Sequence, residues 1–124
     1  NARLTGAIRV HGSSKIYDDA NLDGLITVWE NAQIYGNAVL KGYVHIAGKA
    51  KIFENASILD LAKVEGNAKI YGNAVIAGKA IIFASATVYD NARVAGNAQV
   101  GKRQIVNGNT HLCGSGELAF EVKY

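Results

Sequence analysis

The sequence predicts an all-β fold, a single-stranded parallel β-helix in the form of a triangular prism, on three observations. First, the 124 residues divide from residue 1 into hexads, and the fourth position of all twenty complete hexads is Leu, Ile or Val. Second, the second position is Ala in thirteen hexads and the sixth is Gly in twelve. Third, columns of like residues recur every eighteen residues. Self-similarity at a short fixed period is typical of a solenoid, in which each coil packs only on its neighbours.

Each hexad is predicted to form one short strand and one corner. Positions two and four are small or aliphatic while positions three and five are mostly polar, which is the alternation of a strand with one buried face. Gly or an acidic residue at position six, followed by Asn, supplies a turn, because Gly accepts positive φ and Asn tolerates the left-handed region. A helix is excluded, since aliphatic residues six apart would spiral around it. The predicted core includes Ile34, Ile46, Ile52, Ile58, Ile70 and Ile76.

The eighteen-residue period sets the size of one coil. Like residues stack when three hexads complete a coil, because each coil then lies directly above the preceding one. We call the most conspicuous of these stacks the aromatic column, and its members are Tyr17, Tyr35, Phe53, Tyr71 and Tyr89. About seven coils are expected from the whole chain. At ~4.8 Å per coil they would form a rod roughly 30 Å long.

Composition excludes several classes of protein. The single cysteine, Cys113, leaves no internal disulfide framework and no paired-cysteine zinc site. No apolar run approaches ~18 residues, so no membrane span is expected. Thirteen Lys and Arg against ten Asp and Glu give a formal net charge of +3, and no nucleic acid partner is expected from so mild a charge.

The two ends of the chain differ from its middle. Residues 1–102 keep the hexad pattern and are expected to form regular coils. Residues 103–124 loosen it, since Gln104 stands where Ala is usual and Phe120 where Gly is usual, and we expect a less regular last coil and a cap over the open core. The first hexad shows no such cap and the chain has no Met. We therefore expect a fragment of a larger protein, with further coils or another domain upstream.

The repeat resembles the hexapeptide-repeat family of left-handed parallel β-helices. The shared pattern is an aliphatic residue with a small residue four positions on, as at Ile34 and Ala38, and it covers about residues 1–114. Left-handed winding is implied by the resemblance alone, because the general rule for parallel crossovers favours the right hand. Gly36 lies two positions after Ile34, whereas common enzymes of the family often place Gly immediately after. This variant is similar to a subgroup of bacterial and phage proteins described as transferases. The resemblance also implies a homo-oligomer and favours a trimer.

Two enzyme classes with this architecture use histidines, and their arrangements can be compared with the three histidines of this chain. Acyltransferases of the family typically use a catalytic His near a projecting loop, with coenzyme A between subunits. His11, His45 and His111 occupy outward positions with no insertion for a loop, so a solvated surface role is expected for each. Zinc carbonic anhydrases of the same fold use three histidines, two of them closely spaced, whereas the spacings here are 34 and 66 residues. No catalytic residue and no cofactor is therefore predicted.

One segment matches the pattern of a calcium-binding loop. Residues 19–30 carry Gly24 at the turn and oxygen ligands at Asp19, Asn21, Asp23 and Glu30. The aromatic column, however, keeps its spacing across this segment only if these residues form ordinary strands. Residues two apart on a strand are ~6.6 Å from one another and cannot close around one ion. No metal site is predicted.

The aromatic column allows three interpretations. Together with the Asn column from Asn37 to Asn109, it could stabilise successive coils through stacking. It could be the seam of a homo-oligomer, or a surface on which sugar rings stack. Three lysines line one side of it, at Lys15, Lys51 and Lys69. The neighbouring acids Asp18, Glu54 and Asp90 argue against a polyanionic ligand.

A second outward apolar group is predicted at another corner of the prism. It contains Leu25, Tyr43, Leu59 and Leu61, and Trp29 and Phe83 lie at the third corner. A contiguous apolar group on a rod favours a partner surface. The charged residues Glu30, Glu54, Lys49 and Lys51 are interpreted as solvated surface charge.

These observations lead to three functional hypotheses. The first is a non-enzymatic structural or assembly module: a rigid spacer, shaft or adhesion segment of a larger bacterial or phage protein that associates with copies of itself. It follows from uninterrupted coils, because catalytic and binding residues usually lie on loops carried by a rigid scaffold. The second is an acyltransferase that uses acyl-coenzyme A, and the third is a carbohydrate-binding module that uses the aromatic column.

Overall fold

A computed structural model describes residues 2–117, and every regular element in that range is a β-strand. Most strands consist of positions three and four of one hexad, so the predicted repeat unit is also the structural unit. The strands are β1 (Arg3–Val10), β2 (Lys15–Ile16), β3 (Asn21–Val28), β4 (Gln33–Ile34), β5 (Val39–Gly42), β6 (His45–Ile46), β7 (Lys51–Ile52), β8 (Ser57–Ile58), β9 (Lys63–Val64), β10 (Lys69–Ile70), β11 (Val75–Ile76), β12 (Ile81–Ile82), β13 (Thr87–Val88), β14 (Arg93–Val100), β15 (Ile105–Val106) and β16 (His111–Glu117).

The strands stack in parallel with an offset of eighteen residues. Ile34 pairs with Ile52, and Val75 pairs with Arg93. The predicted eighteen-residue coil is therefore confirmed, and the described residues form a β-solenoid of about six turns, against about seven expected for the whole chain. The left-handed sense of winding implied by the family resemblance stays a prediction.

The prism has three faces, which belong to two sheets. Face I is the six-stranded sheet in the order β15-β13-β10-β7-β4-β2. The other ten strands form one sheet that bends around a corner, because β1, β3, β14 and β16 run through it without a break. Face II comprises β5, β8, β11 and the first halves of those four strands, and face III comprises β6, β9, β12 and their second halves. Outward side chains on each face therefore form straight columns along the rod.

The core consists of positions two and four of the hexads. The six isoleucines predicted for it, Ile34, Ile46, Ile52, Ile58, Ile70 and Ile76, are all fully buried. Alanines such as Ala38 and Ala74 fill the narrower space near the corners and are also fully buried. The first coil differs, since Leu4 is 52% and Val10 is 43% exposed. The predicted burial of position four is therefore wrong for this coil, because the described residues include no coil stacked before it.

The corners depend on backbone conformations with positive φ at position six. Most of these residues are Gly, and the others are mainly acids, as at Asp18 with φ 59° and Glu54 with φ 58°. Gly24 has φ 123°, and a Cβ built there would overlap the carbonyl oxygen of Gly42 in the next coil. Gly is thus favoured at position six by backbone conformation, and at Gly24 the close approach of the next coil adds a second reason.

The described part of residues 103–124 continues the stack through β15 and β16. Gln104 replaces the usual Ala and is 7% exposed, and its Oε1 accepts a hydrogen bond of 2.8 Å from the Gly101 N–H. Thr110 replaces the next Ala and is buried, with no hydrogen-bond partner for its Oγ1 among the described residues. Phe120, predicted to belong to the cap, lies outside the described residues.

Candidate functional site

The aromatic column forms a continuous stack along one edge of face I. Its successive ring centroids are 4.9, 5.0, 4.9 and 5.1 Å apart, and the ring planes differ by only 2–9°. These separations match the rise of one coil, so each ring lies face to face with its neighbours. The faces of the inner rings are therefore covered by other rings, and only ring edges remain for a ligand.

The two ends of the aromatic column differ. At one end the Asn107 Nδ2 donates a hydrogen bond of 2.8 Å to the Tyr89 hydroxyl, so a buried amide takes the place of the next ring. At the other end Tyr17 is 40% exposed. Beside it an open groove of about 590 Å³ is lined by Ser14, Lys15, Ile16, Tyr17 and Gln33. Its lining includes Ser14 and Ile16, which occupy positions two and four of their hexad, so this groove lies at the first coil, beside the outward residues Lys15 and Tyr17.

Two tyrosines of the aromatic column have perturbed ionisation. The pKa of Tyr35 is raised above its ordinary value of 10.0, first by burial and then by the nearby Tyr17, Glu54 and Asp18. The pKa of Tyr71 is raised in the same way, first by burial and then by Tyr89, Asp90 and Glu54. Both phenols are therefore held in the neutral form by the fold.

Alkaline pH is expected to destabilise the protein through these two phenols. Because their pKa values are higher in the folded chain than in the unfolded chain, their contribution to stability is complete below about pH 10 and is lost as the pH rises through the folded values. The free energy of unfolding, measured by urea denaturation at increasing pH, should fall less steeply in the double variant Tyr35→Phe, Tyr71→Phe, which keeps the rings. An identical decline in wild type and variant would contradict this assignment.

The acids at position six bridge successive coils. Each accepts a hydrogen bond from the backbone N–H of the Gly eighteen residues later, as Glu54 Oε1 does from Gly72 at 3.0 Å. Including that one, five pairs share this arrangement at 3.0–3.2 Å: Asp18 with Gly36, Glu30 with Gly48, Glu54 with Gly72, Asp60 with Gly78 and Asp90 with Gly108. We call them the acid–glycine pairs.

The acid–glycine pairs supply acceptors for backbone N–H groups that do not donate to a carbonyl of the next coil. Between coils, the N–H groups of positions one, three and five donate to carbonyls of the next coil, as in Tyr35 N–H to Ile52 O at 2.9 Å. The five paired glycines lie in corners outside the strands, so a side chain supplies their acceptor. Glu30 and Glu54 are exposed, as expected of surface charge, and their carboxylates in addition bridge to the next coil. The sequence held the signal, since every acid at position six is followed by Gly after eighteen residues.

Removing one of these carboxylates should lower stability measurably. Glu54→Ala is expected to reduce the free energy of unfolding by about 0.5–1 kcal/mol, the usual contribution of a partly exposed hydrogen bond. Glu54→Gln keeps a side-chain oxygen acceptor and should lose less. Glu65→Ala is the matched control, because the Glu65 carboxylate accepts no hydrogen bond from a described residue. Equal effects of Glu54→Ala and Glu65→Ala in urea denaturation would contradict a bridging role.

The Asn column also joins coils. The Asn37 Nδ2 donates to Asn55 Oδ1 and the Asn73 Nδ2 donates to Asn91 Oδ1, both at 3.3 Å. Both bonds are long, so each adds little compared with the backbone ladder.

Face I carries a group of lysines beside the aromatic column. Lys51 and Lys69 are direct cross-strand partners in β7 and β10, and Lys49 lies two residues before Lys51. Lys15 occupies the same column in β2. Lys15, Lys49 and Lys69 are exposed and Lys51 is half-buried. None of these ammonium groups forms an ion pair within residues 2–117.

The second apolar group lies where faces II and III meet. Leu25, Tyr43 and Leu61 stack in three successive coils and are 53%, 64% and 46% exposed, and we call these three residues the apolar strip. Leu59 beside it is half-buried. Where the strip ends, a groove of about 270 Å³ is lined by Leu61, Lys63, Lys79 and Ile81.

The aromatic residues at the third corner pack on adjacent coils. Trp29 is 44% exposed, and its ring lies 4.6 Å from that of His11 at a tilt of 32°. The ring of Phe83 covers Gly101, where any Cβ would overlap it. The sequence predicted Trp29 and Phe83 to be outward apolar residues. Packing on neighbouring residues explains why an aromatic side chain lies at each position without a partner protein.

The histidines and the calcium-like segment occupy separate places in the fold. His11 lies at a corner of the first coil, whereas His45 lies in β6 and His111 in β16. Of the calcium-like residues, Asn21 and Asp23 belong to β3, and the Glu30 carboxylate accepts a hydrogen bond from the Gly48 N–H at 3.2 Å. The described range contains no group of three or more His, Cys, Asp or Glu that could hold a metal ion. Nor does that range include a helix long and apolar enough to cross a membrane.

One coil of the chain is similar to a known family of repeats. A family model described as the YdcK beta solenoid repeat matches residues 86–102, which correspond to about one coil around β13 and β14. No curated protein matches the chain. The chain is thus similar to a β-solenoid repeat family over one coil, in agreement with the parallel stack of the structure.

Proposed function

We propose that this chain is a structural β-solenoid module, a rigid spacer or shaft that associates with copies of itself along the apolar strip. The observation that carries the proposal is the uninterrupted stack: in residues 2–117 each coil pairs with the next at a constant offset of eighteen residues, and no loop projects from it. Scaffolds that bind or react usually carry such loops. A loop-free rod is suited instead to hold a fixed distance.

Stiffness along the rod axis is supported by three kinds of contact between coils. Backbone N–H groups at three positions of each hexad donate to the next coil, for example Asn37 to Glu54 O at 2.8 Å. The aromatic column adds ring stacking at the same corner, and the acid–glycine pairs add side-chain bridges. Because the backbone ladder joins the coils on all three faces and each edge of the prism carries at least one acid–glycine pair, bending the rod would break contacts on at least one face.

Self-association is supported by the apolar strip. Tyr43 is the most exposed of the large apolar side chains in the described chain, and it is flanked by Leu25 and Leu61 above and below. An aromatic residue between two aliphatic ones is a typical centre of a protein interface. A straight column on a rod complements the same column of a second rod, so a second copy is the partner that we propose.

An acyltransferase is the enzymatic alternative, and the geometry supports it less well. Its His general base would need a substrate hydroxyl within hydrogen-bond reach and a pocket that holds the substrate there. His45 lies on a flat strand, and His11 packs against Trp29. Titration with acetyl-coenzyme A in a calorimeter separates the two functions, because saturable heat would favour the transferase and oppose a purely structural role.

Sedimentation velocity tests the proposed self-association. The wild-type chain should sediment as an oligomer, and the triple variant Leu25→Gln, Tyr43→Gln, Leu61→Gln should sediment as a monomer with an unchanged circular dichroism spectrum. Trp29→Gln is the matched control, because Trp29 is exposed to a similar degree outside the apolar strip. A monomeric wild type, or a variant that remains oligomeric, would contradict the self-association.

A further inference from the structure

We propose that face I binds a linear acidic polysaccharide, which lies along the rod axis between the outward column of lysines and the aromatic column. We call the surface between these two columns the face I groove. The lysines are Lys15, Lys49, Lys51 and Lys69. This inference goes beyond the role as a spacer and does not depend on self-association, because the apolar strip lies at a different corner of the prism.

The pairing of Lys51 with Lys69 is the first argument for an anionic ligand. The two residues face one another in register, a few ångströms apart at their backbones, and like charges directly opposite in a sheet are destabilising. Lys49 adds a third cation to the same area. Since none of the three is neutralised by a described residue, the fold maintains a local repulsion that an anion would relieve.

The aromatic column is the second argument. Stacking covers the faces of Tyr35, Phe53 and Tyr71, so these rings present their edges to the groove. The edge of an aromatic ring carries the positive part of its quadrupole, and the face carries the negative part. The ring edges therefore repel an anion less than ring faces would, although the charges of the neighbouring acids reach Tyr35 and Tyr71. The ammonium groups supply the attraction, and the ring edges supply a flat surface beside them.

The neighbouring acids oppose this ligand only on the corner side of the aromatic column. Asp18, Glu54 and Asp90 belong to the acid–glycine pairs, and their carboxylates accept hydrogen bonds from backbone N–H groups of the next coil. These contacts hold the negative charge at the corner, beyond the aromatic column as seen from the lysines. The carboxylates keep their negative charge and, in addition to burial, raise the pKa of Tyr35 and Tyr71, so they oppose an anion on the corner side of the aromatic column. The acidic groups of the ligand are therefore placed on the lysine side.

A polysaccharide fits the groove better than a single-stranded nucleic acid. Single strands bind largely by stacking bases on exposed aromatic faces, and the faces here are occupied by one another. Sugar hydroxyls can instead meet polar side chains such as Gln33 and Thr87, which continue the lysine column in β4 and β13. A linear acidic polysaccharide repeats its carboxylates at about the length of one sugar ring, which is close to the coil rise of ~4.8 Å.

Calorimetric titration with an oligogalacturonate long enough to span several coils tests this inference. Wild type should bind it, and the variant Lys51→Gln, Lys69→Gln should bind about tenfold more weakly. The matched control is Lys63→Gln, Lys79→Gln, which removes the same charge from face III and should change the affinity less than about twofold. A neutral malto-oligosaccharide of equal length should not bind.

Each alternative result has a defined meaning. Equal weakening by the two lysine variants would show attraction to net charge only and would overturn the assignment to face I. Tighter binding of a single-stranded DNA oligonucleotide than of the saccharide would overturn the choice of ligand, as would binding of the neutral saccharide. No binding of the oligogalacturonate would overturn the inference, whereas the sedimentation result would still decide the spacer's self-association separately.

Discussion

The Ile70→Asp variant is expected to unfold several coils around β10 at room temperature. Ile70 is fully buried, and its strand lies between those of Ile52 and Val88 in the stack. A carboxylate at this position would enter a core made only of aliphatic groups, where an unpaired charge or its neutral form costs several kcal/mol. A domain of this size typically has a total stability of about 5–15 kcal/mol, so this loss removes a large share of it.

The measurement is thermal and urea denaturation followed by circular dichroism. Lys69→Asp is the matched control, since the side chain next along β10 points outward and should tolerate the same new residue. Ile70→Val keeps the apolar character and should cost only about 0.5–1.5 kcal/mol. If Ile70→Asp melts like wild type, the inward orientation of position four is wrong, whatever Lys69→Asp does.

The solenoid also determines how far this damage spreads. Each coil contacts only the coils before and after it, so stability is approximately a sum over neighbouring pairs. Hydrogen exchange in Ile70→Val should therefore accelerate first in the strands that pair directly with β10, which are β7 and β13. Strands several coils away, such as β2, should respond least.

Most of the fold could be predicted because one physical rule repeats in every hexad. The eighteen-residue recurrence of Tyr17 and Tyr35 gave the coil length, and the alternation around Ile34 and Ile70 gave the buried face. Both follow from contacts between like residues in adjacent coils, so the period alone specifies the register. Exposure of Leu4 could not be read in this way, since burial of position four needs a coil on each side.

The candidate site could be predicted only in part. The sequence placed the aromatic column and the lysines on one edge. The spacing of Asp18, Glu54 and Asp90 predicted where the acidic residues lie but not which way their carboxylates point. Their positive φ at the corner aims each carboxylate at a backbone N–H of the next coil, and this orientation depends on three-dimensional structure. The cross-strand pairing of Lys51 with Lys69 follows from the eighteen-residue period and can be predicted from the sequence.

The second large effect is expected at a glycine rather than in the core. Gly24→Ala should lower the free energy of unfolding by on the order of 3 kcal/mol, from backbone strain and overpacking together. Gly24 has φ 123°, a conformation that residues with a Cβ rarely adopt. The added methyl group would also overlap the carbonyl oxygen of Gly42, which is rigid backbone and part of the next coil.

Ala84→Gly is the informative comparison for Gly24→Ala. Ala84 occupies position six at another corner with φ 55°, so removing its Cβ relieves strain while the extra freedom of the unfolded chain offsets part of the gain. This variant should be neutral or more stable by about 1 kcal/mol in urea denaturation. Position six would then favour Gly for two separate reasons. At residue 84 the reason is the positive φ alone, whereas at residue 24 it is the positive φ together with the overlap between a Cβ and the next coil. A Gly24→Ala variant as stable as wild type would show that adjacent coils can move apart at this corner, which contradicts the rigid stack on which the proposed role as a spacer depends.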